Sequence, residues 1–198
     1  MVNRRVAVVL LPLAVCLGLN AALTAHNAWP SVWVVPGSTL SVELLALLAL
    51  LALYLEVRPR LGGLIAWCLT GVLFLLILGR YVAVTSHALF GRPINLYFDL
   101  PHLPDVIAMT AGVRSTAELA FFAIVALALP VLMLVLIRWG IGAVAHSFAD
   151  ATLRRAFAGL AVVGVAVFAV ASVTGPDPVR NAFAHPVSPV YAHQIGFA

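Results

Sequence analysis

Five long apolar stretches fill most of this 198-residue chain, and each is close to the length that crosses a bilayer. A helix needs about 20 predominantly apolar residues to span a hydrocarbon layer of about 30 Å. Charged residues make up 9% of the chain, whereas a soluble domain carries about 25%. We therefore predict an all-α integral membrane protein, a five-helix transmembrane bundle with spans near 6–25, 39–56, 61–84, 115–137 and 156–173.

The arginines predict how the bundle is oriented, because basic residues concentrate on the cytoplasmic side of membrane proteins. With the N-terminus inside, seven arginines lie inside and four outside, the outer ones being Arg80, Arg92, Arg114 and Arg180. We predict N-inside, C-outside, in the bacterial cytoplasmic (inner) membrane. Residues 1–173 then form the membrane domain, the turn at 175–178 ends the fifth span, and 174–198 form an outer juxtamembrane tail. The arginines occur singly or in pairs at the ends of apolar runs, which argues against a nucleic-acid partner.

The segment between the fourth and fifth spans, residues 139–155, has helical periodicity. Trp139 and Phe148 fall on one face, and Asp150 and Arg154 lie nearer the other. This pattern is typical of a helix that lies in the headgroup layer. We predict an interfacial helix on the inner side.

The connection between the third and fourth spans, residues 85–114, is the most distinctive part of the sequence. Its centre, GRPINLYFDLPHLPD, alternates apolar with polar residues and is divided by Pro93, Pro101 and Pro104. We expect an outer amphipathic or re-entrant segment, with a short helix that begins at Pro104 and ends near Gly112.

Charged side chains converge at the outer ends of the spans, where an ionisable group is costly unless it is paired or solvated. We expect buried or interfacial ion pairs among Glu43, Glu118 and Arg114, and we expect Arg80 to pair with Glu118 or Glu43. Such pairs could simply fasten helix ends together. They could also belong to a surface for a protein partner or a lipid headgroup, since Arg binds phosphate through two parallel donors. The residues predicted for that surface are Arg80, Arg92, Asn95, Tyr97, Asp99 and His102.

The sequence favours no catalytic, metal or cofactor site. Asp99, His102 and Asp105 are the acidic and histidine side chains closest together on the outer face, too few for a two-metal site. Cys16 and Cys68 both lie in apolar runs and form no paired-cysteine motif. We therefore predict no catalytic residue, no metal ligand and no cofactor.

Residues 79–105, GRYVAVTSHALFGRPINLYFDLPHLPD, carry a family resemblance. This stretch resembles the one after the third helix in membrane-bound sulfatase-like proteins related to lipoteichoic acid synthases, of the alkaline phosphatase superfamily. The residues that carry the resemblance most specifically are Gly91-Arg92, Asn95-Leu96-Tyr97 and Asp99. The resemblance implies five spans, an inner N-terminus and a linker to an outer catalytic domain, and "FAHPVSPVYAHQ" looks like the start of that linker.

That family's catalytic residues, a metal-bound Thr or a modified Ser or Cys, lie in the outer domain. We expect residues 1–198 to hold only the membrane part, so no catalytic residue is carried over. The resemblance implies a non-catalytic membrane anchor or accessory module that positions an outer-face partner or binds a lipid headgroup.

Two alternatives remain open. One is a small accessory subunit of a large energy-transducing complex, respiratory or photosynthetic, in which the small residues Gly159, Gly164 and Ala166 permit close helix packing. The other is the membrane part of a sulfatase or phosphotransferase whose catalytic domain is absent. In each case the partners are the lipid bilayer and a protein on the outer face or in the membrane. A transporter is disfavoured, because no span carries a charge near its centre.

Overall fold

The computed structural model describes residues 2–175, 179 and 181–195. Residues 176–178 of the turn predicted at 175–178, and Arg180, lie outside the described residues. The described part is mostly helical. Its loops contain one pair of two-residue antiparallel strands, β1 (His26–Asn27) and β2 (Val34–Val35), and an isolated parallel bridge between Leu40 and Phe183. The helices are α1 (Val2–Leu23), α2 (Val42–Val57), α3 (Gly63–Phe90), α4 (Leu96–Asp99), α5 (Leu103–Val113), α6 (Thr116–Ser147), α7 (Ala151–Thr174) and α8 (Ser188–Ile195), with a 3₁₀ turn at Leu100–His102.

Three of these helices, α3, α6 and α7, are long and apolar enough to cross a membrane. The prediction of an all-α chain with helices able to cross a membrane is therefore confirmed, whereas the count of five spans and their orientation stay predictions. The short helix predicted from Pro104 is also present, as α5.

The prediction of a separate interfacial helix at 139–155 is wrong. Instead, α6 continues through Trp139 to Ser147, and α7 begins at Ala151 after a short turn. The reason is packing: Ile137, Ile141 and Val144 recur at helical spacing and are buried against the bundle, so this stretch has no reason to leave the α6 axis.

The helix ends are set by local hydrogen bonds. Gly91 ends α3 in the left-handed conformation (φ 65°) that glycine adopts without a steric cost. As a result, α3 runs six residues beyond the predicted end at 84.

Asn20, a polar residue in the first predicted span, donates to the Thr39 carbonyl at 2.8 Å and accepts from the Ser41 amide at 2.9 Å. This side chain thereby holds the chain entering α2 against α1.

The core is formed where α2 packs on α7 and where α1 and α3 pack on α6. A Cβ on Gly164 of α7 would come within 2.6 Å of Leu45 in α2. Gly164 therefore permits the close α2–α7 approach expected of a small residue, whereas nothing lies within 4 Å of a Cβ on Gly159.

The bundle has two chemically different ends. We call one the basic end: it carries the loop after α2, with Arg58 and Arg60, and the turn between α6 and α7. We call the other the tail end: it carries the start of α2, the last turns of α3 and the described tail, residues 181–195.

Candidate functional site at the tail end

The described tail folds back onto the bundle. The Leu40 amide donates to the Ala182 carbonyl, and the Ala184 amide donates to the Leu40 carbonyl, each at 2.9 Å. Phe183 and Val187 are buried. Further along, the Tyr191 hydroxyl donates to the Leu75 carbonyl within α3. The segment predicted as an outer juxtamembrane tail is thus a packed part of the fold over residues 181–195.

Glu43, in the first turn of α2, fastens this tail. Its Oε1 atom accepts from the Val187 amide at 2.7 Å and from the Ser188 amide at 2.6 Å. Ser188 begins α8, and the first amides of a helix have no partner within the helix. The Glu43 carboxylate satisfies the first of these amides, that of Ser188, and the Val187 amide before it, and it also faces the positive end of the helix dipole.

Arg80, near the end of α3, binds main-chain oxygens. Its Nε donates to the Ala25 carbonyl at 2.7 Å, and its two terminal nitrogens lie 3.4 Å from the His185 carbonyl and 3.5 Å from the Thr24 carbonyl. The expected direct ion pair with Glu43 or Glu118 is not formed. The Glu43 carboxylate already accepts two amides of the tail, and Glu118 has partners of its own.

Glu118 and Arg114 stabilise the start of α6. Glu118 accepts from the Ser115 amide at 2.9 Å, and Ser115 Oγ accepts from the Glu118 amide, which completes a capping box. Arg114 lies 3.2 Å from Glu118, and both side chains are about half exposed. Such an exposed pair contributes little to stability, so the stabilisation of the start of α6 comes mainly from the capping box of Ser115 and Glu118.

We call the segment from Gly91 to Val113 the outer arm. One carboxylate, that of Asp99, fixes the base of this arm, and we call its contacts with Arg92 and Asn95 the Arg92–Asp99 lock. Asp99 accepts both terminal nitrogens of Arg92, at 2.6 and 3.1 Å, and it also accepts the Asn95 amide at 2.7 Å. The Arg92 guanidinium and then the Asn95 amide hold the pKa of Asp99 below its ordinary value. Asn95 in turn caps α4 by accepting from the Tyr97 amide at 3.1 Å.

Beside this lock lies a largely apolar cavity of about 400 Å³, lined by Arg92, Asp99, His102, Phe90, Leu103 and Val106 among others. Of the six residues predicted for a binding surface, the structure brings Arg92, Asn95, Asp99 and His102 together here. Tyr97 lies next to them, exposed and edge-on to Phe98 with the ring centroids 5.1 Å apart. Arg80 belongs elsewhere: it lines a separate cavity of about 430 Å³ with His87 and His185.

Beyond the lock, the outer arm is exposed along its whole length. Every residue from Leu100 to Glu118 is exposed, including the apolar Ile107 at 59%, Met109 at 73% and Val113 at 85%. Within the described residues, the tail reaches the base of the arm through Gln194, which donates to the Ile94 carbonyl at 2.8 Å. The arm therefore presents apolar side chains that the rest of the described chain does not cover.

The contact between Glu43 and the tail was not predicted from the sequence. One signal was available: Ser188-Pro189 is the kind of pair that starts a helix, with Pro in the first turn. Nothing in the sequence indicates that this helix start contacts Glu43 in the second apolar stretch.

Among the described residues, no three His, Cys, Asp or Glu side chains lie close enough together to hold a metal ion.

Neither a protein-family model nor a curated protein nor a solved structure matches the chain. The likeness of residues 79–105 to sulfatase-like membrane domains therefore gains no support from these comparisons and stays an expectation from sequence.

Proposed function

We propose that this chain is a non-catalytic membrane anchor or accessory module that positions a protein partner at the outer face of the bacterial inner membrane. In this proposal the chain crosses the membrane five times with its N-terminus inside, so that the tail end and the outer arm face outward. The greater number of arginines assigned to the inner side supports this orientation.

The observation that carries the proposal is the outer arm itself. Its apolar side chains are exposed from Leu100 to Val113, yet its base is fixed by the Arg92–Asp99 pair. Contiguous exposed apolar surface is typical of sites that bind proteins or membranes. A fixed base orients that surface, and prior orientation lowers the entropy that binding would otherwise cost.

A lipid headgroup is the less favoured ligand for this arm. Asp99 already neutralises the Arg92 charge and accepts from both of its terminal nitrogens, so a phosphate would have to compete with this carboxylate. Apolar contact with a protein leaves that pair intact, so the geometry favours the protein partner.

The proposal that the chain is an accessory subunit of an energy-transducing complex has its own supporting observation. The first half of α6 is exposed on nearly every side, for example at Phe121 (62%), Ile124 (65%) and Leu127 (72%). Helices of a larger complex would cover this half. Likewise, if the resemblance to sulfatase-like enzymes holds, the partner is an outer catalytic domain.

The test is to replace Arg92 and Asp99 together by Ala and to measure cross-linking to the partner from a photoreactive residue at position 97. We expect cross-linking to fall by at least tenfold while the helix content stays unchanged. The control replaces Arg155 by Ala, which removes an exposed side chain that lies 3.6 Å from Glu56 at the basic end and leaves the Glu56–Arg154 pair in place. Undiminished cross-linking in the first variant would rule out the arm as the binding surface.

A further inference from the structure

A surface groove of about 680 Å³ lies toward the basic end, between α1, α3 and α6, and its lining includes Leu11, Trp67, Val135, Arg138, Trp139 and Gly142. We propose that this groove binds an anionic glycerophospholipid, with Arg138 on the phosphate and an acyl chain along the apolar wall. The site is distinct from the outer arm and independent of its partner.

The depth of Arg138 suits a headgroup. No charged residue lies between Glu118 and Arg138, and these twenty positions of helix span about 30 Å. That length equals the hydrocarbon thickness of a bilayer, about 30 Å. If Glu118 lies at one boundary of the hydrocarbon layer, Arg138 lies at the other, at the level of the phosphates.

The charge of Arg138 is uncompensated within the described part of the chain. Its guanidinium carbon lies 5.8 Å from the centre of the Trp67 ring, a cation–π contact that leaves its N–H donors free for a phosphate. Glu56 and Asp150, both acids at the basic end, have other partners. Glu56 pairs with Arg154 at 2.9 Å and Arg155 at 3.6 Å, and Asp150 accepts from the amides of Thr152 and Leu153. The unpaired charge of Arg138 therefore favours an anionic over a zwitterionic headgroup.

The remainder of the groove fits an amphipathic ligand. Trp67 and Trp139 are each 58% exposed, and indole rings prefer the membrane interface, where one side is apolar and the other is hydrated. Below them Leu11 and Val135 give an apolar wall. Gly142 lines the groove next to Arg138: a Cβ there would be in van der Waals contact with an Arg138 terminal nitrogen at 3.6 Å, and a longer side chain would occupy the groove.

The test uses the full chain in phosphatidylcholine vesicles and measures tryptophan quenching by lipids with brominated acyl chains. Trp29→Phe and Trp33→Phe, both at the tail end, leave Trp67 and Trp139 as the reporters among the four tryptophans. We expect brominated phosphatidylglycerol to reach half-maximal quenching at about one-tenth the mole fraction that brominated phosphatidylcholine requires. Equal mole fractions for the two lipids would overturn the proposal.

Two variants and one control test separately how the charge and the shape of the groove contribute to lipid binding. Arg138→Ala should bring the phosphatidylglycerol-to-phosphatidylcholine ratio to about one, whereas Arg60→Ala, outside the groove, should leave it unchanged. Gly142→Leu should fill the groove and weaken quenching by both lipids. A ratio that survives Arg138→Ala in a correctly folded protein would overturn the proposal. If that variant does not fold, the wild-type ratio and Gly142→Leu still decide the matter.

Discussion

The carboxylate of Glu43 accepts the main-chain amide of Val187 at 2.7 Å, across 144 residues of sequence. Together with the amide of Ser188, this contact fixes the start of α8 to the first turn of α2. The tail therefore belongs to the structural unit that carries the outer arm, and it helps to define the face that we propose to be the binding face.

Replacing Glu43 by Ala should release the tail. Two hydrogen bonds to a charged acceptor are lost, each of which typically contributes about 1.5 to 3 kcal/mol. We expect chymotrypsin to cleave after Tyr191 several times faster in this variant, as measured by mass spectrometry. Glu43→Gln retains an acceptor oxygen and should give an intermediate rate. Equal cleavage rates in all three proteins would show that Glu43 does not hold the tail.

Gly79→Ala should displace α8 from α3. A Cβ at position 79 would lie 2.6 Å from the Tyr191 hydroxyl, closer than side chains approach one another. The matched control is Gly71→Ala in the same helix, where nothing lies within 4 Å, and where Ala should stabilise α3 by about 1 kcal/mol. Thermal unfolding in detergent should show opposite shifts for the two variants. A shift of the same sign in both would contradict the α3–α8 packing.

Arg154→Ala should destabilise the basic end more than Arg155→Ala. The Arg154 side chain is 13% exposed, bonds Glu56 and donates to the Phe148 carbonyl at 2.8 Å, and its loss should cost about 1 to 3 kcal/mol. Arg155 is 75% exposed and 3.6 Å from Glu56, so its loss should have almost no effect. Urea unfolding monitored by circular dichroism tests this order.

The Arg92–Asp99 lock should open in acid. Because the pKa of Asp99 is lowered in the folded arm, the lock is fully formed above the unfolded pKa of aspartate, about 3.9, and is lost as the pH falls through the lower folded value. The Asn95 amide, which donates to Asp99, should report this step as a change in its proton chemical shift. A midpoint at or above the ordinary aspartate value would contradict the lock, and Asp99→Asn should abolish the step.

The sequence predicted the helical class because apolar runs of spanning length have few other solutions. It also predicted α5, since Pro104 and Gly112 bracket a helix-forming segment. It missed the extension of α6 to Ser147, because amphipathic periodicity cannot distinguish a helix at the interface from one that packs on a bundle. Arg80 was grouped with the outer arm for a similar reason: sequence gives its level along α3 but not the direction of its side chain, which turns toward the Ala25 carbonyl.

The most direct test of the proposed topology labels single cysteines with a membrane-impermeant maleimide, after Cys16 and Cys68 are replaced by Ala. The three positions, all exposed, are Thr110→Cys in the outer arm, Ala192→Cys in the tail and Ala149→Cys in the turn between α6 and α7. We predict that positions 110 and 192 react from the outside of intact cells and that position 149 reacts only after the membrane is opened. Labelling of positions 110 and 192 from opposite sides would contradict the proposed topology.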